Sequence, residues 1–314
     1  MRVLVLGGAG FIGSHLVDRL LDDGHFVRIL DRSPPELHPD WVTAGRVEYV
    51  LGDFADHFSV ATAVKDIDIA FHAVSTTIPA TSNVDMAFDV QTNLIGTINF
   101  LRAAVAARIR KVLFVSSGGT VYGVPTTVPI KETAPTEPMC SYGITKLATE
   151  KYLGLFEMLH GLEFLVFRLS NPFGERQRAG AQGAIAAFID KMLRGESLEI
   201  WGDGSVVRDY IYIGNAIDAL VEGMNYSGEQ RVFNVGSGVG HSLNDVLGIL
   251  ERVSGRQVPR NYSPSRAIDV PRNILDIGLI KNEIGWMPRI AFADGIDRTW
   301  KWYRERRPDP AGRS

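Results

Sequence analysis

The chain of 314 residues carries a single cysteine, Cys140, which rules out an internal disulfide. No Cys/His spacing outlines a zinc site, so no metal is expected. No apolar run approaches the ~20 residues needed to cross a bilayer, which excludes a membrane-spanning role. The formal net charge is −3, so the broad basic field that nucleic-acid binding requires is missing too. Repeats and low-complexity linkers are also absent. What remains is an ordinary soluble composition, 45% hydrophobic and 22% charged, able to build a large core. At ~150 residues per domain, the length points to two units. The expectation is a cytoplasmic enzyme or small-molecule-binding protein.

The chain opens MRVLVLGGAGFIGSHL. A basic residue before an apolar run also begins a signal peptide. Here glycine interrupts the run at once, and an amphipathic segment follows with no small-residue cleavage site. Short apolar runs at 2–6, 26–30, 47–51, 68–72, 112–116 and 163–169 predict buried strands. Between them, 11–22, 57–64, 84–107 and 142–160 predict helices. This alternation implies right-handed crossovers and a parallel sheet covered on both faces. The second half mixes short strands, glycine turns and about three helices.

Gly7, Gly8, Gly10 and Gly13 therefore lie between the first strand and the first helix. They read as G-x-G-x-x-G from Gly8 or as G-x-x-G-x-x-G from Gly7. Either spacing gives a tight turn, a close backbone approach to a diphosphate and close helix–sheet packing. A plain strand–helix turn would suffice for a lone glycine pattern. The position between strand one and helix one favours a dinucleotide. Asp31 closes the second strand roughly 20 residues on, where an acid bonds ribose hydroxyls and repels a 2′-phosphate. That favours NAD over NADP, with Arg32 beside it as the one group a 2′-phosphate would find.

SYGITK at 141–146 opens a helix, placing Tyr142 and Lys146 on one face. A phenol titrating near ~10 is a poor base, and a nearby ammonium lowers its pKa. Such a pair can take a proton from an alcohol while hydride leaves the same carbon. VSSGGTVYG at 115–123 is a hydroxyl-rich strand end, and strand carboxyl ends face the ligand crevice of a doubly wound sheet. Ser116, Ser117 and Thr120 are its candidate hydroxyls.

Together these residues resemble the extended short-chain dehydrogenase/reductase family, most closely its nucleotide-sugar epimerases of the UDP-glucose 4-epimerase type. The resemblance covers nearly the whole chain. It rests on GGAGFIG (7–13), GD (52–53), FHAV (71–74), Asn93 and Gly96, SSGGTVYG (116–123), SYGITK, NPFGERQ (171–177), WGDGSVVRDYIY (201–212), FNVGSG (233–238) and RAIDV (266–270).

The resemblance implies a Rossmann-like α/β fold: a doubly wound parallel sheet with a smaller α/β substrate-binding lobe. The NAD-binding unit would comprise 1–170 with 214–250, and the nucleotide-sugar lobe 171–213 with 251–314. Gly7, Gly10, Phe11, Ile12 and Gly13 would hold the NAD diphosphate, Asp31 and Arg32 would flank the adenosine ribose, and Asp53 and Phe54 the adenine. Ala73, Val74, Asn93 and Ser116 would line the nicotinamide half, with Tyr142 as base and Lys146 on the ribose. Asn171, Arg208, Arg266 and Asp269 would grip the substrate diphosphate. Asn273 would stand near the sugar C2 substituent, small enough to admit an N-acetyl group. A homodimer through the helices near 84–107 and 142–160 is also implied, where Ile95, Ile98, Phe100 and Leu101 could serve interface or core.

Two departures from the family pattern stand out. Gly118 occupies the position of the usual catalytic hydroxyl, so Thr120, preferred, or Ser117 must supply it. The acidic pair usual near 214–215 is replaced by Gly214-Asn215, which is expected to alter only a helix cap. The strand-five loop bears no acid beside Thr120, so dehydration and decarboxylation of the sugar lack their acid. The resemblance then implies NAD-dependent C4 epimerisation of a UDP-linked hexose through a 4-keto intermediate, with tightly held NAD. A 4-keto-sugar reductase is the second reading, and a non-catalytic NAD sensor the third. No nucleic-acid or membrane partner is expected.

Overall fold

The computed structural model describes residues 1–34, 41, 45–180, 183–264 and 270–306. Seven parallel strands form the main sheet: β1 (Arg2–Leu6), β2 (Phe26–Asp31), β3 (Val47–Leu51), β4 (Ile69–His72), β5 (Lys111–Ser117), β6 (Glu163–Leu169) and, from later in the chain, Val232–Val235, β10 below. Their order is β10-β6-β5-β4-β1-β2-β3. The order reverses between β1 and β4, so the carboxyl ends of those strands open a crevice. Alternation along β1 explains why both faces are covered. Val3 and Val5 enter one core with Leu16, Val17 and Leu20 of α1 (Phe11–Asp22). Leu4 and Leu6 enter another with Phe100 and Leu101. The mixed α/β, doubly wound class is as expected.

On the second face lie α2 (His57–Ala63), α3 (Met86–Asp89), α4 (Gly96–Ala106) and α5 (Ser141–His160). The sequence predicts one helix over 84–107. Instead a π-helical turn, Val90–Ile95, separates α3 from α4. Hydroxyls compete with the backbone ladder there: Thr92 donates to Phe88 O and Thr97 to Asn93 O. Phe100 and Leu101 are fully buried, whereas Ile95 is exposed, so these positions divide between core and surface.

Beyond residue 170 the elements are β7 (Asn171–Phe173), α6 (Ala184–Arg194), β8 (Leu198–Trp201), β9 (Val207–Tyr212), α7 (Ile213–Glu222), β10 (Val232–Val235), β11 (Gly240–Ser242), α8 (Leu243–Ser254), β12 (Arg260–Ser263), β13 (Arg272–Asn273), α9 (Gly278–Glu283) and α10 (Phe292–Arg306). Among the described residues, five α-helices stand where the sequence predicts about three. Strands β7, β9, β11 and β13 make a small sheet, and β8 pairs with β12. Helix α7 packs on α1, and β10 extends the main sheet beside β6. Helix α8 begins in the 214–250 segment expected to join the first unit and runs past its end, and it packs on α6 and α10. Its buried face, Val246, Leu247, Ile249 and Leu250, leaves it no reason to reach the sheet.

Asn215 is a second correction. It does not cap α7, whose cap residue is Tyr212. Buried, it accepts from the Arg289 and Ile290 amides and donates to Ile290 O. An aspartate offers no donor for that last bond.

Candidate active site

The turn between β1 and α1 is built by backbone crowding. Gly7 has φ +81°, and a Cβ there would lie 2.9 Å from the Val74 Cα. The turn therefore rests on the Ala73–Val74 segment that follows β4. A Cβ on Gly13 would stand 2.1 Å from Gly7 O. Gly10 gives α1 no side-chain cap, and the first turn, with Phe11 and Ile12, holds no acid. Its free N–H groups are left to an anion. This cradle, closed to any side chain, fits a dinucleotide diphosphate. Asp31 touches it directly, accepting from Ala9 N at 3.0 Å while its other oxygen accepts from Ser33 N at 3.1 Å. Arg32 lies 4.0 Å from Asp53. Its guanidinium thus already faces a carboxylate.

The Phe54 ring is buried against His72 and Phe100, which leaves its backbone to meet an adenine. The Ser116 hydroxyl is buried and donates to Glu150 at 2.5 Å. The Asn93 side chain is taken up by Thr76, Thr77 and Asp89.

Helix α5 carries Tyr142 and Lys146 one turn apart. The Lys146 Nζ is 5.5 Å from the Tyr142 ring centre and 4.7 Å from that of Phe114. It donates to Val115 O at 2.8 Å. Burial pulls Lys146 down to about 8, against the opposing pull of Asp89 and Glu150. The sequence expectation for Tyr142 is reversed. Burial raises its pKa, and Cys140 and Asp89 raise it further. Desolvation of the phenolate outweighs the ammonium here.

At the end of β5, a Cβ on Gly118 would stand 2.6 Å from Leu275 and 3.0 Å from Arg168 O. No hydroxyl fits at that position. Thr120 Oγ1 is buried without a hydrogen-bond partner. The Thr120 side chain backs onto Gly143 of α5. Ser117 is partly exposed and makes no side-chain hydrogen bond among the described residues. Asn273 is buried beside this turn and donates to Gly118 O at 3.3 Å, its own oxygen unpartnered among the described residues.

A cavity of ≈ 390 Å³ opens between the small sheet and α6, within the usual range for ligand pockets. Asn171, Gln177, Phe188, Trp201, Arg208 and Tyr210 line it. Asn171 donates to Asp209 O, and Arg208 donates to Val207 O and Val270 O, so both are held by the backbone. Arg266 and Asp269 lie outside the described residues.

His72, at the end of β4, is buried against Phe54, Phe100 and Phe114. Thr97 gives its proton to Asn93 O, so His72 Nε2 must be the donor to Thr97 Oγ1 at 2.8 Å. Nδ1 then has no partner. Burial, reinforced by Lys146, lowers this imidazole to about 3. Below its unfolded pKa of 6.5 the unfolded chain takes a proton that the folded chain refuses. Stability is thus expected to fall from pH 6.5 toward pH 3, by up to a few kcal/mol. Urea melts across this range should show a flatter acid limb for His72→Phe, and identical limbs would remove His72 as the cause.

Several residues here were not found from the sequence. Asp89, fully buried in α3, accepts four hydrogen bonds beside α5. Asn83 accepts the Ser141 amide at the start of α5. Glu150 and Arg168 form a buried bidentate pair. None has a sequence spacing of its own.

The profile of the NAD-dependent epimerase/dehydratase family matches residues 3–236. A relative named putative UDP-glucose 4-epimerase, from Methanocaldococcus jannaschii, is 35% identical over 96% of this chain and 98% of its own. The fold is similar to a UDP-glucose 4-epimerase of Thermotoga maritima solved with UDP-glucose (TM-score 0.91, 34% identity, 98% of this chain and 99% of that one). A Thermus thermophilus UDP-glucose 4-epimerase solved with NAD is also similar (TM-score 0.89, 32% identity, 97% and 99%).

Proposed function

The chain belongs to the NAD-dependent epimerase/dehydratase family, and from that premise we propose that it inverts C4 of a UDP-linked hexose. The observation that carries this reading is Tyr142 and Lys146 on one face of α5, at the same sheet edge as the glycine cradle. When bound, NAD supplies a hydride acceptor that returns what it takes. The cradle around Gly7, Gly10 and Gly13 would hold its diphosphate, and Asp31 its ribose hydroxyls.

Tyr142 would take the O4 proton and give it back, and Lys146 would hold positive charge beside the phenolate. Arg208 and Asn171 would seat the substrate diphosphate at the mouth of the cavity, a role guanidinium geometry suits. Of the two candidate hydroxyls we assign Ser117 to the reacting oxygen. Both residues are partly exposed, but the Thr120 Oγ1 itself is buried, which favours Ser117. With Gly118 and Gly119 in place of an acid, elimination has no proton donor. Asp31 at the glycine turn disfavours a reductase fed by NADPH.

The test is proton NMR of the anomeric region, with purified protein and UDP-N-acetylglucosamine or UDP-glucose and no added cofactor. A galacto signal growing to a constant ratio is expected. Both sugars inert, with and without NAD, would overturn the reading.

No helix among the described residues is long and apolar enough to cross a membrane. We place the enzyme in the cytoplasm as a homodimer. Support for the dimer is apolar surface on neighbouring helices: Phe88 on α3 and Ile144, Leu155, Met158 and Leu159 on α5 are all exposed. Leu155→Glu/Leu159→Glu is expected to halve the mass in light scattering, to one 34.5 kDa chain. An unchanged mass would move the interface elsewhere.

A further inference from the structure

We propose that Asp89 is a positioning residue for Tyr142 and Lys146, supplying the fixed negative charge of the site and holding the first turn of α5. The proposal rests on the epimerase reading for its reaction, but not for its electrostatics.

Asp89 is fully buried at the end of α3, directly before the π-helical turn. Its Oδ1 accepts from Thr77 Oγ1 at 2.5 Å and Asn93 Nδ2 at 2.8 Å. Its Oδ2 accepts from Ser141 Oγ at 2.6 Å and Thr145 Oγ1 at 3.3 Å. All four donors are neutral, and no cation pairs with it directly among the described residues. A buried carboxylate of this kind is costly, and it is sustained only where hydrogen bonds and a facing charge favour it.

The facing charge is Lys146. The other groups around it can be enumerated by element. On α5 these are Tyr142 and Glu150, with Cys140 just before the helix. From β4 comes His72, which is neutral. From β6 comes Arg168, which is committed to Glu150 through two nitrogens. The loop after β4 and the π-helical turn add only Thr77, Asn83 and Asn93. Glu150 is engaged by Arg168 and acts on Lys146 less than Asp89 does, so Asp89 is the main carboxylate facing Lys146. Burial lowers Lys146, and Asp89 is the strongest opposing influence; the same carboxylate raises Tyr142.

Two of the four donors, Ser141 and Thr145, flank Tyr142 on α5. Thr145 Oγ1 has one proton to share between Asp89 and Tyr142 O, which is the nearer at 3.0 Å. The carboxylate thus fixes the turn that aims the phenol as well as the charge around it.

Removing one negative charge must lower both pKa values. Asp89→Asn is expected to move both limbs of the kcat–pH profile to lower pH by about half a unit or more, and to lower maximal kcat about tenfold. A role in packing alone would lower kcat or stability with both limbs in place. The second readout needs no activity: the pH titration of the Lys146 ε-carbon by NMR, with the signal identified by its loss in Lys146→Met. It should titrate about half a unit or more lower in Asp89→Asn. An unmoved Lys146 in a folded variant overturns the proposal, while an inactive wild type with a shifted Lys146 overturns only the epimerase reading.

Ser141→Ala/Thr145→Val keeps the carboxylate and removes two donors. It should lower kcat while the Lys146 titration holds within about 0.2 unit. A larger downward shift there would assign Lys146 to the hydrogen-bond clasp rather than the charge. That outcome would overturn the proposal even if Asp89→Asn failed to fold.

Discussion

Tyr142→Phe is expected to lower kcat by about 10³-fold while KM stays within a few-fold and the protein melts as before. General-base catalysis is worth about 10²–10⁴-fold, and the carboxylate that shares this face of α5, Glu150, is taken up by Ser116 and Arg168. The ring packs as it did, and the hydroxyl makes no hydrogen bond among the described residues, so its loss leaves no buried group unpaired. NAD content should be unchanged, because the glycine cradle lies across the crevice. Initial rates by NMR or a coupled assay, a thermal melt and the NAD content together check this. A loss under tenfold would hand the proton to another group, Ser117 first. A large loss together with a lower melting temperature would mean that the hydroxyl has a structural role.

The first strand, the glycine turn and the first helix were legible in the sequence because their signal is local. Five residues of apolar run, four glycines and an amphipathic segment lie in chain order, and each constrains the next. The same holds for α5, whose sequence opens with the tyrosine and ends before Gly161 in the left-handed region. Where the sequence was not legible, the deciding contact was distant. Phe54 turns inward because Gly96, far along the chain, leaves room for its ring. Ser116 turns to Glu150 because strand alternation carries its side chain to the α5 face. Asn215 clasps residue 290, 75 positions away. Asp89 depends on hydroxyls from the β4 loop and α5 that no pattern over 84–107 contains.

The Tyr142 pKa failed for a related reason. A sequence reveals which charge stands one turn away, but not how strongly the surrounding protein desolvates the phenolate. With Lys146 itself drawn down by burial, the pair is less polarised than the spacing alone implies. Charge from elsewhere then decides the pH range in which both groups are correctly protonated, and Asp89 is the group placed to supply it.

Gly13→Ala is the substitution expected to do most damage, through one methyl group. Its Cβ would stand 2.1 Å from Gly7 O, 2.8 Å from Gly7 C and 2.8 Å from Gly8 Cα, all of them backbone. A flexible side chain could move aside, but these atoms form the cradle itself. Relief requires either α1 to slide off the sheet or the Gly7–Gly8 turn to open. The first breaks the packing of Leu16, Val17 and Leu20; the second spoils the surface that meets the diphosphate. Overpacking of this kind costs about 1–3 kcal/mol, and a backbone clash belongs at the upper end. For a chain of this size that is a fall in Tm of roughly 2–5 °C. NAD should no longer copurify, and activity without added cofactor should drop below detection. Gly10→Ala is the control, because its Cβ would meet only Gly7 O, at 3.2 Å, and so should weaken NAD without the same loss of stability. The check is a thermal melt of both variants with quantitation of NAD released on denaturation. A Gly13→Ala protein holding stoichiometric NAD at the wild-type Tm would mean that the close approach of α1 to the glycine turn is not what builds the site.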